Sequence, residues 1–145
     1  TQLLGNDPTV VLHGGGNTSV KSSLDTLLDE NEEIIYVKGS GKDMGNIEED
    51  GFPALEMKNL LGMRKLTELD DFQMVNYQRK YMLDTSFPNA SVETLLHAFL
   101  PHNLLITPTL MQFSHLLINL IQKKFVNMYL EMKWVSFHTL CLVLN

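Results

Sequence analysis

The chain has 145 residues, 44% apolar and 19% charged, with a formal net charge of −6. This composition describes a globular domain long enough to bury a core and excludes a disordered chain. The acidic balance argues against a nucleic-acid partner, which a basic face would attract.

A single cysteine, Cys141, excludes an internal disulfide and a cysteine metal cluster, and a reducing compartment fits. Thr-Gln-Leu-Leu-Gly at the start has no basic segment followed by an apolar one, so no secretory signal is read and a cytoplasmic location is expected. With Thr rather than Met in first place, the chain is expected to begin inside a longer protein.

Val10 to Leu12 is a short β-branched run between Pro8 and Gly14-Gly15-Gly16, which predicts a strand feeding a glycine loop. Thr18 to Lys21 starts a returning strand, and residues 22–33 read as a polar turn. Ile34 to Val37 is the clearest strand, ending on Gly39-Ser40-Gly41. Phe52 to Met57 suggests another short strand. Helical patterns begin at Leu60 and run from Phe72 to Met82, closed by Pro88. Ser91 stands where a helix N-cap would, ahead of Glu93, Leu95, Leu96 and Phe99, and Pro101 ends that helix. Strands alternating with helices predict an α/β domain.

Three short segments carry chemistry. In His13-Gly14-Gly15-Gly16-Asn17-Thr18-Ser19 a glycine loop exposes backbone N–H groups that can cradle an anion, and the Asn17 amide can donate to a phosphate oxygen. A plain tight turn explains the glycines equally well. The segment is not a dinucleotide fingerprint, because Ser19 stands where a glycine is needed. Lys38-Gly39-Ser40-Gly41-Lys42 looks like the end of a P-loop but fails that pattern, with Asp43 for Ser/Thr and Tyr36 for the first glycine. A second anion loop or a simple turn remains. In Ser91-Val92-Glu93, with His97 one turn on, a carboxylate in the first turn of a helix is favoured by the helix dipole, and a capping charge alone accounts for it. The other histidines show no ligand spacing, and the sequons at Asn17 and Asn89 are read as accidental.

Taken in order, VVLHGGGNTSVK, YVKGSGKDM, GFPAL and SVETLLHAFLPH resemble the class II aldolase/adducin N-terminal domain family over about residues 1–102. The resemblance is closest to the aldolase half of bifunctional rhamnulose-1-phosphate aldolase/short-chain dehydrogenase proteins. It implies an α/β/α layered fold. It also implies a zinc-dependent aldehyde-lyase that cleaves a ketose 1-phosphate to dihydroxyacetone phosphate and an aldehyde, in a homo-oligomer fused to a C-terminal dehydrogenase domain. By motif position it makes Glu93 the catalytic acid/base and Gly16, Asn17, Ser40, Gly41 and Ser91 the phosphate-binding residues. Val92 departs from the family, which has a second serine there. A non-catalytic adducin-like module and a sugar-phosphate epimerase are the rival readings on the same fold.

The composition breaks near residue 103. All 9 glycines lie at or before Gly62, and 16 of the 17 acidic residues lie at or before Glu93. A 42-residue segment would ordinarily hold roughly three glycines, and residues 104–145 hold none. Pro108, Gln112, Ser114, His115 and Asn119 interrupt its apolar run, which argues against a membrane span. The family requires an H-x-H zinc pair just after LPH, and Thr107 and Thr109 stand in its place. One nucleotide lost at codon 103 accounts for this. With one allowed choice of codons, reading Ile106 to Thr109 one base earlier gives D-H-T-H, and the rest regains glycines and acids. The expectation is therefore a partial α/β/α aldolase domain over residues 1–103, and an out-of-frame tail over 104–145, helical or disordered, that stays out of the sheet. Such a chain is expected to bind no zinc and to be inactive.

Overall fold

The computed structural model describes residues 1–12, 14–26 and 30–108. Its centre is one four-stranded sheet: β1 (Asn17–Leu24), β2 (Glu32–Val37), β3 (Ala54–Glu56) and β4 (Leu104–Thr107), in the order β3-β2-β1-β4. Every pairing is antiparallel. The mixed α/β class is as expected, but the sheet runs antiparallel because its central pair is a hairpin rather than a crossover through a helix. The turn between β1 and β2 bends at Asn31, whose φ of 54° is left-handed and whose N–H donates to the Asp25 carboxylate at 2.9 Å.

Period-two alternation sorts the side chains. Ile35, Val37 and Leu55 face one side, where Met57, Leu60, Met63, Met74, Met82, Leu95, Ala98 and Phe99 close the core over them. Each fully buried Leu, Ile or Phe contributes about 1.5–3 kcal/mol. On the other side Thr18, Val20, Tyr36, Ala54 and Leu104 line a cavity of about 510 Å³.

Among the described residues four α-helices accompany the sheet. The first, α1 (Gln2–Gly5), is a single turn at the N-terminus. The helix α2 (Met57–Gly62) follows β3 directly and buries Met57 and Leu60. The helix α3 (Asp71–Lys80) opens on a capping box, Asp70 accepting from the Gln73 N–H while the Gln73 side chain accepts from the Asp70 N–H. It buries Met74 and Gln78, four residues apart and so on one face. All six residues of α4 (Thr94–Phe99) are buried. Its last carbonyls have cationic partners: Arg64 donates to the Phe99 carbonyl and Lys21 to the Leu100 carbonyl. Positive charge there also complements the negative end of the helix dipole.

Several expectations are corrected. Val10–Leu12 forms no strand: the chain turns through residues 8–10 with Val11 buried, and the strand starts only after the glycines. Residues 22–24 and 32–33 are strand rather than turn, because an edge of polar side chains can face solvent. Ser91 lies outside α4, whose N-cap is Glu93, although the Ser91 hydroxyl still accepts from the Glu93 N–H at 3.3 Å. The sheet also takes in the first residues after 103. Leu104–Thr107 pairs with β1, Asn17 opposite Thr107 and Ser19 opposite Leu105. A run of Leu-Leu-Ile-Thr suits a strand covered on both faces, so no alternation is needed for it to fit. The rest of the expected out-of-frame tail, Thr109 included, lies outside the described residues, as does His13. No helix among the described residues is long and apolar enough to cross a membrane.

Candidate phosphate and acid/base site

Strand pairing brings the three motifs to one end of the sheet. Because β1 and β2 are antiparallel, the loop that enters β1 and the loop that leaves β2 lie at the same end, and the Lys38 N–H donates to the Thr18 carbonyl at 3.0 Å. The segment ahead of α4 is tied to the second loop by a bridge between Gly39 and Ala90. The Ser40 N–H donates to the Asn89 carbonyl at 2.7 Å, and the Ser91 N–H to the Lys38 carbonyl at 3.1 Å. The backbone N–H groups of Ser40 and Ser91 are thus spent on the scaffold, so what these serines bring to a ligand is a hydroxyl.

The first loop is shaped by Gly16, whose φ of 72° is left-handed, and a Cβ there would lie 2.8 Å from Met44 Sδ and 3.2 Å from the Thr107 carbonyl oxygen. Asn17 follows at 1% exposure, and neither its amide nitrogen nor its amide oxygen has a protein partner. An unpaired buried amide costs roughly 1–3 kcal/mol, so such groups are ordinarily satisfied. The burial also excludes Asn17 as a glycosylation acceptor.

Across the ladder from Asn17, the Thr107 hydroxyl donates to Glu93 Oε2 at 2.7 Å. His97, fully buried, lies 3.3 Å from the same hydroxyl through Nε2, while its Nδ1 lies 2.7 Å from Ser19 Oγ. Desolvation, helped by the positive charge of Lys21, holds the His97 pKa down at about 4. Lys38 is buried too, its ammonium only 3.5 Å from the Gly39 carbonyl. Burial pushes its pKa below the usual lysine range against the pull of Glu93 and then Asp43. A buried cation thus sits at the junction of the two loops and the Glu93 turn.

Zinc does not fit this donor set. A zinc site takes three or four converging His, Cys or carboxylate ligands. Here both ring nitrogens of His97 face hydroxyls, and Glu93 Oε2 accepts from Thr107. No group of three His, Cys, Asp or Glu side chains that could hold a metal occurs among the described residues.

Gly16, Ser40, Gly41, Ser91 and Glu93 are on the loops and turn that meet here, and Asn17 opens β1 directly after the first loop. Three further residues were not legible as part of the site. Lys38 carried only the failed P-loop pattern. Ser19 gave no signal, and Thr107 entered solely as a missing ligand. His97 did carry one, its four-residue spacing from Glu93.

No family profile matches the chain. The uncharacterized oxidoreductase YuxG of Bacillus subtilis (strain 168) is 38% identical over 102 residues, which make up 70% of this chain and 15% of that protein. A solved structure, the N-terminal class II aldolase domain of a conserved protein from Thermoplasma acidophilum, superposes with a TM-score of 0.69 at 40% identity. The match covers 74% of this chain and 50% of that one. The chain spans half the length of its solved relative and a small part of its curated one, and what it carries is the fold of a class II aldolase domain.

Proposed function

We propose that the chain is the N-terminal part of an aldolase domain that binds a sugar phosphate, and that it performs the binding without the cleavage. The observation that carries this reading is the orphaned, buried amide of Asn17. It stands beside a glycine loop, a buried lysine and the Glu93–Thr107 pair. A phosphate oxygen would satisfy the amide N–H, the hydroxyls of Ser40 and Ser91 would add donors, and Lys38 would supply charge. Glu93 is the group of that site suited to take or give a proton.

The intact parent is proposed to cleave a deoxyketose 1-phosphate of the rhamnulose 1-phosphate kind to dihydroxyacetone phosphate and an aldehyde, as a homo-oligomer that uses zinc. The oxidoreductase name of the longer Bacillus relative supports the further proposal that the parent continues into a dehydrogenase domain. The donor set around Glu93 does not fit zinc, so the reading for this chain stops at binding. The segment after 103 is proposed to be out of frame on the sequence alone, in which Thr107 stands where the resemblance expects a histidine.

The test is calorimetry on the purified chain with inorganic phosphate and with dihydroxyacetone phosphate, beside a metal analysis and a lyase assay. Saturable binding of both anions, lost in Asn17→Ala, with zinc far below one per chain and no cleavage, is the expected outcome. No anion binding would defeat the site assignment, and stoichiometric zinc would defeat the inactive reading.

A further inference from the structure

The buried groups behind Glu93 form a chain whose direction is fixed by elementary donor and acceptor counting. We propose that His97 is a positioning residue for Glu93. It acts through Thr107 along a one-way series of hydrogen bonds: Ser19 O–H to His97 Nδ1, His97 Nε2–H to Thr107 Oγ1, and Thr107 O–H to Glu93 Oε2. The inference rests on the reading of Glu93 as the carboxylate of the proposed binding site.

A carboxylate only accepts, and a threonine hydroxyl has one proton. The 2.7 Å contact with Glu93 Oε2 uses that proton. The hydroxyl oxygen can then only accept from the ring nitrogen 3.3 Å away, so Nε2 carries the hydrogen. A neutral imidazole with Nε2–H has a bare Nδ1, which must accept. The Ser19 hydroxyl at 2.7 Å is the donor it meets. Neutrality follows from the surroundings. His97 is fully buried, and desolvation together with Lys21 disfavours a proton on the ring.

Each group in the series is held from a different element. Ser19 lies on β1, His97 on α4 and Thr107 on β4, so the series ties Glu93 to two strands and a helix. Glu93 Oε2 and His97 Nε2 are themselves 3.9 Å apart, too far for a direct hydrogen bond. The Thr107 hydroxyl is the link that lets the ring fix the carboxylate. Buried, fully paired series of this kind set orientation, because a rotation of any member leaves a polar atom unsatisfied.

The test is nuclear magnetic resonance of the full chain, with its histidines labelled in 15N and its glutamates in 13C, at pH 7. The His97 signals are assigned by their loss in His97→Gln. The expected result is a ring protonated at Nε2 and bare at Nδ1. In Ser19→Ala, where the substitution touches neither Thr107 nor Glu93, both the His97 nitrogens and the Glu93 carboxylate carbon are expected to shift. In Thr107→Val the Glu93 signal moves, and Thr107→Ser restores it. A ring protonated at Nδ1, or a Glu93 signal that ignores both Ser19→Ala and Thr107→Val, overturns the proposal. The tautomer is read in the unmutated chain, so a variant that fails to fold leaves the decision intact. Anion binding absent alongside the expected tautomer would remove the functional reading and leave the series of hydrogen bonds standing.

Discussion

Asn17 and Thr107 are cross-strand partners at the end of the β1–β4 ladder. The unpartnered amide of the glycine loop and the hydroxyl that holds Glu93 are thereby fixed on neighbouring strands, 90 positions apart in sequence. A ligand that meets the amide therefore meets a site whose carboxylate is oriented by the same pair of strands.

The orphaned amide yields the first prediction. If Asn17 is retained for a ligand, its replacement costs little stability in the free chain. Asn17→Leu keeps the branched shape, though its methyl groups are larger, and removes the roughly 1–3 kcal/mol penalty of an unpaired buried amide. The unliganded variant is expected to melt no lower than wild type, and to lose the rise in Tm that phosphate gives the wild type through linkage. A Tm drop of many degrees without phosphate would mean that the amide is structural.

Two glycines with nearly equal dihedral angles separate strain from space. Gly16 (φ 72°) and Gly41 (φ 76°) are both left-handed, but a Cβ at Gly41 meets nothing within 4 Å, whereas at Gly16 it meets Met44 and the Thr107 carbonyl. Gly41→Ala should cost about 1–2 kcal/mol from the dihedral alone. Gly16→Ala should cost more, because Met44 must move and the Thr107 backbone cannot retreat without disturbing β4. Urea unfolding of the two variants reads the difference, and equal losses would contradict the close packing at Gly16.

The sequence announced the elements whose signal is local and missed those set by partners. Ile34 to Val37 was legible as a strand because β-branched residues cluster there, and the helix pieces from Leu60 and from Phe72 because their spacing is helical, though α2 already begins at Met57. Val10–Leu12 carried the same β-branched signal, but it finds no neighbouring strand and so turns instead. Residues 22–24 and 32–33 read as a turn, since nothing in a run of serines and acids reveals that the chain is still paired. At the site, glycine loops and a carboxylate have recognisable patterns. Of the groups that organise Glu93 only His97 has one, its spacing from Glu93; Ser19 and Thr107 join it only through strand pairing across 88 residues of chain. Leu104–Thr107 was expected to stay out of the sheet, yet four apolar or β-branched residues are enough to pair with β1.

His97 makes the fold sensitive to acid. Its pKa lies near 4 in the folded chain against an ordinary 6.5. The unfolded chain therefore takes up the proton first as pH falls. The stability that the neutral ring confers is complete above about pH 6.5, declines between 6.5 and 4, and is gone below. Its size is on the order of 3 kcal/mol. Urea unfolding at pH 7.5, 5.5 and 4 should show that wild type loses more stability over this window than His97→Gln does. Parallel losses would show that the carboxylates alone account for acid sensitivity.

The final prediction concerns where the sheet ends. Leu105 and Ile106 are buried, and Thr107 holds Glu93. Cutting the chain after Pro108 should leave the sheet and the site whole, so that the shortened protein keeps phosphate binding. Cutting it after Asn103 removes two buried aliphatic side chains, about 3–6 kcal/mol of burial by area, and four residues of pairing with β1. That is comparable to the whole stability of a small domain. It also leaves β1 as an open edge, with backbone N–H and C=O groups free to recruit another chain. The two truncations differ by only five residues, so a contrast between them cannot come from bulk composition. Circular dichroism and light scattering should show a folded, dispersed protein for the longer form and a poorly folded, self-associating one for the shorter. If the form ending at Asn103 is equally stable and still binds phosphate, then β4 is dispensable and the orienting role assigned to Thr107 is wrong.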